Sequence, residues 1–164
     1  MTSGPPSPTT AGPLALSPSD EARIRASFGA QTMLSTLGAA MVEVSAGRVV
    51  LEMPQDLRFG QQFGYTHAGA ITALVDTACG YAALSVMPAD REVLTVDFSA
   101  NFLAPAAGGA FRATGTVLRA GRTIVVCRGE VHALDDGAQP RLIAAMQATM
   151  MAVAPPAQLV EPGA

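Results

Sequence analysis

The sequence predicts an α+β domain in which a curved antiparallel sheet wraps one long central helix. Three observations lead there. The stretch Ala68–Met87 is apolar nearly all round and rich in small residues, as a helix covered by a sheet must be. Three or four long strand-like runs follow it, with turns and no helix between them, which excludes a doubly wound α/β fold. Finally, 164 residues with 49% hydrophobic and 14% charged content suffice for one domain with a sizeable core.

Each element has a local reason. Residues 1–16 and 154–164 are rich in Pro or small polar residues and read as disordered tails around a domain at 17–153. Ser17-Pro18-Ser19-Asp20 is a helix start, with a hydroxyl N-cap, Pro at the first helical position and acid in the first turn. The helix is expected from Pro18 to Phe28, with a continuation to Leu34 left open. Met41–Val44 and Val49–Met53 flank Ser45-Ala46-Gly47-Arg48 and read as a hairpin with Gly47 in its turn. Pro54–Thr66 is a polar loop interrupted by aromatic residues. The central helix follows over Ala68–Met87. Strands are then expected at Val93–Leu103, Ala110–Ala120, Thr123–Leu134 and Leu142–Val153, forming an antiparallel meander.

Composition excludes several functions. A net charge of −3 argues against nucleic-acid binding. All ten cations are Arg, so Schiff-base and P-loop lysine chemistry are absent. Cys79 and Cys127 are far apart and two His complete a poor metal set; no metal site is expected. Both cysteines read as small buried hydrophobes. The central helix is no membrane span, because an ionised Asp76 near its middle would cost roughly 2.5–3.5 kcal/mol. With no secretion signal visible, a cytoplasmic location is expected.

Asp76 is the first chemical candidate. A carboxylate in an apolar helix is expensive unless paired. Burial would raise its basicity, which suits a nucleophile or general base; a structural alternative is pairing at a subunit interface. The helix start Thr66-His67-Ala68-Gly69 is the second candidate. Its first-turn N–H groups are free to hold a polarised carbonyl. Ala68 and Asp76 stand eight positions apart, roughly 12 Å along the axis. One chain therefore cannot bring both to one carbonyl, and a joint site requires two antiparallel helices in a homodimer. His67, nine residues before Asp76, is likewise too distant for a dyad and reads as a residue that orients the helix start. Asp97, between Val96 and Phe98, reads as structural. The Met-rich last strand (Met146, Met150, Met151) reads as core or interface.

Gly64-Tyr65-Thr66-His67-Ala68-Gly69, followed by Leu74-Val75-Asp76, resembles the hotdog-fold acyl-CoA thioesterases, and most closely their phenylacetate-degradation (PaaI-like) group. Gly80-Tyr81-Ala82-Ala83, Leu94-Thr95-Val96-Asp97-Phe98 and Asn101-Phe102-Leu103-Ala104-Pro105-Ala106 agree with it, and the likeness covers roughly residues 35 to 153. The resemblance implies hydrolysis of an acyl-CoA to free acid and coenzyme A, with no cofactor beyond the coenzyme A of the substrate. It places Asp76 as nucleophile or general base. Ala68 and Gly69 fall on a His-Gly-Gly turn whose N–H groups polarise the carbonyl, with Ala68 replacing the first Gly. Gln61 or Gln62 would orient water or carbonyl, Gln62 being favoured, and Thr95 would stand beside the catalytic Asp. Asp76 and Thr95 would come from one subunit, and Gln62, Ala68 and Gly69 from its partner, in a dimer or dimer of dimers. Arg119, Arg122 and Arg128 are candidates for the coenzyme A phosphates, because Arg is a planar, permanently charged phosphate partner; a solvated rim is the alternative. The competing readings are a hotdog hydroxyacyl-thioester dehydratase relying on His67 and a non-catalytic acyl-CoA-binding module.

Overall fold

The structure, a computed structural model, describes residues 16–155. The two expected tails lie outside them, apart from Leu16, Ala154 and Pro155. Leu16 packs against the core.

The chain runs α1 (Pro18–Gly29), α2 (Thr32–Thr36), β1 (Ala40–Ser45), β2 (Arg48–Pro54), a 3-10 turn (Leu57–Phe59), α3 (Ala68–Leu84), β3 (Glu92–Phe102), β4 (Ala110–Ala120), β5 (Ile124–Leu134) and β6 (Arg141–Val153). The six strands form one antiparallel sheet in the order β1-β2-β4-β5-β6-β3. Helix α3 packs on β2, β3, β4, β5 and β6. This is the hotdog arrangement, a sheet wrapped about one helix.

Ser17 starts α1 as expected, its Oγ accepting the Asp20 N–H at 3.1 Å. The helix does not continue to Leu34. It ends at Gly29, and Gln31 is extended (φ −79°, ψ 101°) before α2 begins. Gln31 gives α2 no side-chain cap, because its amide reaches Tyr81 instead. Gly47, at φ 78°, makes the hairpin turn. Its N–H donates to Ser85 Oγ at 2.7 Å, and Ser85 Oγ in turn donates to the Ala82 carbonyl at 2.7 Å. That pair ties the C-terminus of α3 to the hairpin. The helix therefore stops at Leu84 rather than Met87. Val86 and Met87 close as tighter turns on Ala83 and Leu84, and Pro88 disfavours helical backbone before it.

The expected meander holds only for β4-β5-β6. β3 crosses to the far side of the sheet and pairs with β6, while β2 pairs with β4. β3 is thus an edge strand. Its register shifts between Thr95 and Asp97, a bulge that inverts the alternation. Thr95 is paired with buried Met150 and Phe98 with buried Ala148, so both belong to the helix face of the sheet. A strict period of two would have put them on opposite faces.

The core lies between α3 and the sheet, with Leu51, Met53, Ile71, Leu74, Phe111, Val125, Ile143 and Met150 fully buried. Met146 and Met150 are core residues, as expected. Two glycines allow the close approach. Gly115 and Gly129 face each other across β4–β5. A Cβ on Gly115 would lie 2.3 Å from the Ala78 carbonyl oxygen, and one on Gly129 would lie 2.4 Å from Val75 Cγ2. The helix is not covered all round, contrary to the sequence expectation. Gly69 is exposed, and Thr72, Ala73, Asp76 and Thr77 are half-buried on one strip. Positions three and four apart share a helix face, so this strip is a single open face bearing Asp76.

Candidate active site

Asp76 sits midway along that strip. Thr95 Oγ1, reaching across from β3, donates to Asp76 Oδ1 at 2.9 Å. Burial pushes the Asp76 carboxyl above its ordinary range, and the Thr95 hydrogen bond opposes that in part. A carboxylate with raised basicity and a fixed orientation can attack a carbonyl or take a proton from water. It lines a cavity of about 200 Å³ together with Thr95, Gly80, Tyr81, Ser27 and Gln31.

The helix start lies elsewhere. Thr66 N–H donates to the Ala106 carbonyl and His67 N–H to the Phe59 carbonyl, at 2.9 and 2.8 Å. These bonds pin the backbone entering α3. His67 is the N-cap, its Nδ1 accepting the Gly69 N–H at 2.9 Å. That nitrogen is therefore committed to holding the start of the helix. A Cβ on Gly69 would stand 3.1 Å from His67 Nδ1, so glycine keeps the cap undisturbed. The Gly69 N–H is already engaged, whereas no acceptor among the described residues meets the Ala68 N–H. No non-glycine residue among those described has positive φ, so Ala68 takes the place of a glycine without backbone strain.

Ala68 opens onto a cavity of about 190 Å³ shared with Gln61, Tyr65, Thr66 and Ala106. The two glutamines are thereby distinguished. Gln61 lines the cavity beside Ala68, and its Oε1 accepts the Phe63 N–H. Gln62 is exposed and is not among that cavity's lining residues. The sequence preference for Gln62 gives way to Gln61 on placement. The reason is the turn Gln61–Tyr65, closed by Gln61 N–H to the Tyr65 carbonyl at 2.8 Å, with Gly64 at φ 84°. Residue spacing alone does not reveal which glutamine this turn brings inward.

His67 and Gly69 line a third, larger cavity of about 530 Å³ with Arg58, Phe59, Ala70 and Met33. Arg58 shares this cavity with the helix start, paired with Asp56 at 2.7 Å and lying over the Phe59 ring. Sequence reading passed over it, and only its place in the aromatic loop pointed to it. Arg119, Arg122 and Arg128 are exposed around the β4–β5 turn and on β5. Arg128 pairs with Glu130 and lines a groove with Ser99, Asn101 and Gln147. Within one chain, none of the three lines the cavity of Asp76, of Ala68 or of Gly69. Cys79 and Cys127 are free and fully buried. Burial pushes the Cys79 thiol up and the Cys127 thiol up to about 12, so neither is a nucleophile. Among the described residues no cluster of three or more His, Cys, Asp or Glu could hold a metal ion, and no helix is long and apolar enough to cross a membrane.

Known proteins share this sequence pattern and fold. Residues 63–139, which hold the helix start, Asp76 and Thr95, match the Thioesterase superfamily. A thioesterase family protein of Silicibacter pomeroyi is 43% identical in sequence and superposes with a TM-score of 0.80, over 83% of this chain and 99% of its own. The 1,4-dihydroxy-2-naphthoyl-CoA hydrolase of Listeria monocytogenes is 29% identical over 91 residues, 56% of this chain and 74% of its own. The E. coli PaaI protein from the phenylacetic acid degradation operon shares the fold, with a TM-score of 0.75 at 21% identity over 85% of this chain and 96% of its own.

Proposed function

The chain belongs to the thioesterase superfamily, and from that premise we propose that it hydrolyses acyl-CoA thioesters to the free acid and coenzyme A. The observation that carries the reading is the half-buried Asp76, with raised basicity, held by Thr95 at the edge of a cavity. The Ala68 N–H at the start of α3 polarises the thioester carbonyl, helped by the helix dipole. Asp76 attacks the carbonyl carbon, or takes a proton from the water that does. The C–S bond breaks, the thiolate leaves and is protonated, and water supplies the oxygen of the acid. Gln61 orients water or carbonyl from the loop. No metal or redox cofactor enters these steps. The two free, buried cysteines suit a cytoplasmic location.

The reading requires two copies of the chain. Asp76 and Ala68 line different cavities of one chain and stand roughly 12 Å apart along α3. A second copy with its α3 antiparallel brings its Ala68 to Asp76. Two features favour that pairing. The strip of α3 bearing Asp76 is open. Edge strand β3 is paired only with β6 and exposes Leu94, Val96, Phe98 and Phe102, and a long apolar edge is a template for another chain.

The test is thiol release from phenylacetyl-, hexanoyl- and palmitoyl-CoA by wild type and Asp76→Ala. Release by wild type that falls at least a hundredfold in Asp76→Ala supports the reading. Equal release by the two proteins, or binding without release by wild type, overturns it.

A further inference from the structure

Among the described residues, two buried side-chain polar atoms have no hydrogen-bond partner, Arg23 Nε and Thr66 Oγ1. Arg23 lies on α1 and lines none of the cavities at Asp76, Ala68 or Gly69. Thr66 does line one, the cavity of about 190 Å³ at Ala68, and it is only 4% exposed. A buried hydroxyl is ordinarily paired, because leaving water without a new partner costs free energy. Valine has the same shape and would avoid that cost, so the fold alone gives no reason for threonine at this position.

The backbone around Thr66 is held on both sides. Its own N–H donates to the Ala106 carbonyl at 2.9 Å. Gln61 N–H donates to the Tyr65 carbonyl and His67 N–H to the Phe59 carbonyl, each at 2.8 Å. The position of the Thr66 side chain is thus set by the backbone and not by a bond of its own. Two residues on, the Ala68 N–H also meets no acceptor among the described residues. Two unpaired donors therefore belong to residues that border one cavity, a hydroxyl and the N–H at the helix start. Phe102, Ala104, Pro105 and Ile143 complete an apolar wall, and no carboxylate lines the cavity. In such surroundings a hydrogen bond to a charged oxygen is stronger than in water.

We propose that the Thr66 hydroxyl is a second donor to the thioester carbonyl oxygen, holding it together with the Ala68 N–H of the same chain while Asp76 of the partner subunit acts on the carbonyl carbon. This rests on the thioesterase reading above and adds a catalytic residue to it. The carbonyl oxygen gains negative charge as its carbon is attacked, and donors already in place stabilise that charge without reorganising. The bond is strongest in the transition state, so its loss lowers kcat more than it raises KM. In the free protein the hydroxyl is unpaired, so it adds nothing to folding. Activity and stability therefore separate at this one position.

The experiment compares wild type, Thr66→Val and Thr66→Ser in thiol release from the fastest of phenylacetyl-, hexanoyl- and palmitoyl-CoA, and in denaturant unfolding. Thr66→Val should lower kcat about a hundredfold, the usual effect of losing one such donor, with little change in KM. It should unfold at the same denaturant concentration as wild type or a higher one, because an unpaired buried hydroxyl is gone. Thr66→Ser keeps the hydroxyl and should retain most of the wild-type kcat. The matching thioether (2-phenylethyl-, hexyl- or hexadecyl-CoA) lacks the carbonyl oxygen and should bind wild type and Thr66→Val equally. Wild-type kcat in Thr66→Val, with release still dependent on Asp76, overturns this inference and leaves the thioesterase reading standing. A fall in kcat matched by Thr66→Ser, or accompanied by lost stability or weaker thioether binding, also overturns it, since the residue then acts through the fold or elsewhere on the ligand. Absence of Asp76-dependent release by wild type removes the thioesterase reading and this inference with it.

Discussion

Thr95 Oγ1 donates to Asp76 Oδ1 at 2.9 Å, joining edge strand β3 to the one carboxylate on α3. The bond tempers the basicity that burial gives the carboxylate. Burial raises its pKa and the Thr95 hydroxyl lowers it, because a donor stabilises the ionised form. In the proposed mechanism the ionised form is the reactive one, so the acid limb of kcat/KM reports this group. The limb in wild type is expected above the ordinary carboxylate range. Thr95→Val removes the donor and should move the limb to higher pH, with a lower rate at neutral pH. A pH–rate profile of both proteins checks this, and a limb unmoved or shifted downward would refute the coupling.

The same shift has a consequence for stability. A folded-state pKa above the unfolded value means that the folded protein holds the proton more tightly. Stability then falls as pH rises from the unfolded value of about 3.9 through the folded one, and stays reduced above it. Asp76→Asn removes the charge and should unfold at a higher temperature than wild type at pH 7. The gain should shrink as pH falls through that window. Thermal unfolding at several pH values measures it. A less stable Asn variant at neutral pH would mean that Asp76 has a charge partner rather than a desolvation penalty.

Much of this was legible because the signals are local. Ser17 as a cap, Gly47 as a turn and Asp76 within an apolar helix follow from neighbouring residues. Strand order is not local. Periodicity says that Glu92–Phe102 is a strand and nothing about its pairing with β6 rather than β4. The β3 bulge is likewise a property of the pair, set by register with Met150 and Thr149. Gln61 was legible only as one of two candidates, since the Gln61–Tyr65 turn decides which glutamine faces Ala68. The bond from Gln31 to Tyr81 joins residues 50 positions apart, and no spacing rule reaches that far. The helix was rightly read as one made for close approach, yet its partners Gly115 and Gly129 went unnoticed, because a glycine inside a strand looks like a defect until the helix lies on it.

Those two glycines give a stability contrast with Gly80. Gly115→Ala would place a methyl 2.3 Å from the Ala78 carbonyl oxygen, a backbone atom that cannot step aside. Overpacking of this kind costs about 1–3 kcal/mol or more. Gly80→Ala meets nothing within 4 Å and should stabilise the helix by about 0.5–1 kcal/mol. Denaturant titration of both variants should move the midpoints in opposite directions. Shifts in the same direction would show that α3 does not rest on the sheet as closely as Gly115 indicates.

The proposed division of the site between two chains makes a prediction that a single-chain site cannot meet. In the proposed dimer Asp76 stands on one side of the joint site, while Ala68 and Gln61 belong to the other chain. Asp76→Ala and Gln61→Ala homodimers each carry two damaged sites and should be slow. A hybrid dimer carries one site with both defects and one with neither, because the Gln61→Ala chain supplies Asp76 and the Asp76→Ala chain supplies Gln61. Co-expression with two different affinity tags, followed by tandem purification, isolates that hybrid. Its thiol-release rate is expected near half that of wild type per dimer, well above either parent. A hybrid as slow as its parents would place Gln61 and Asp76 in the same half-site, or Gln61 outside the site, and the shared arrangement would fall.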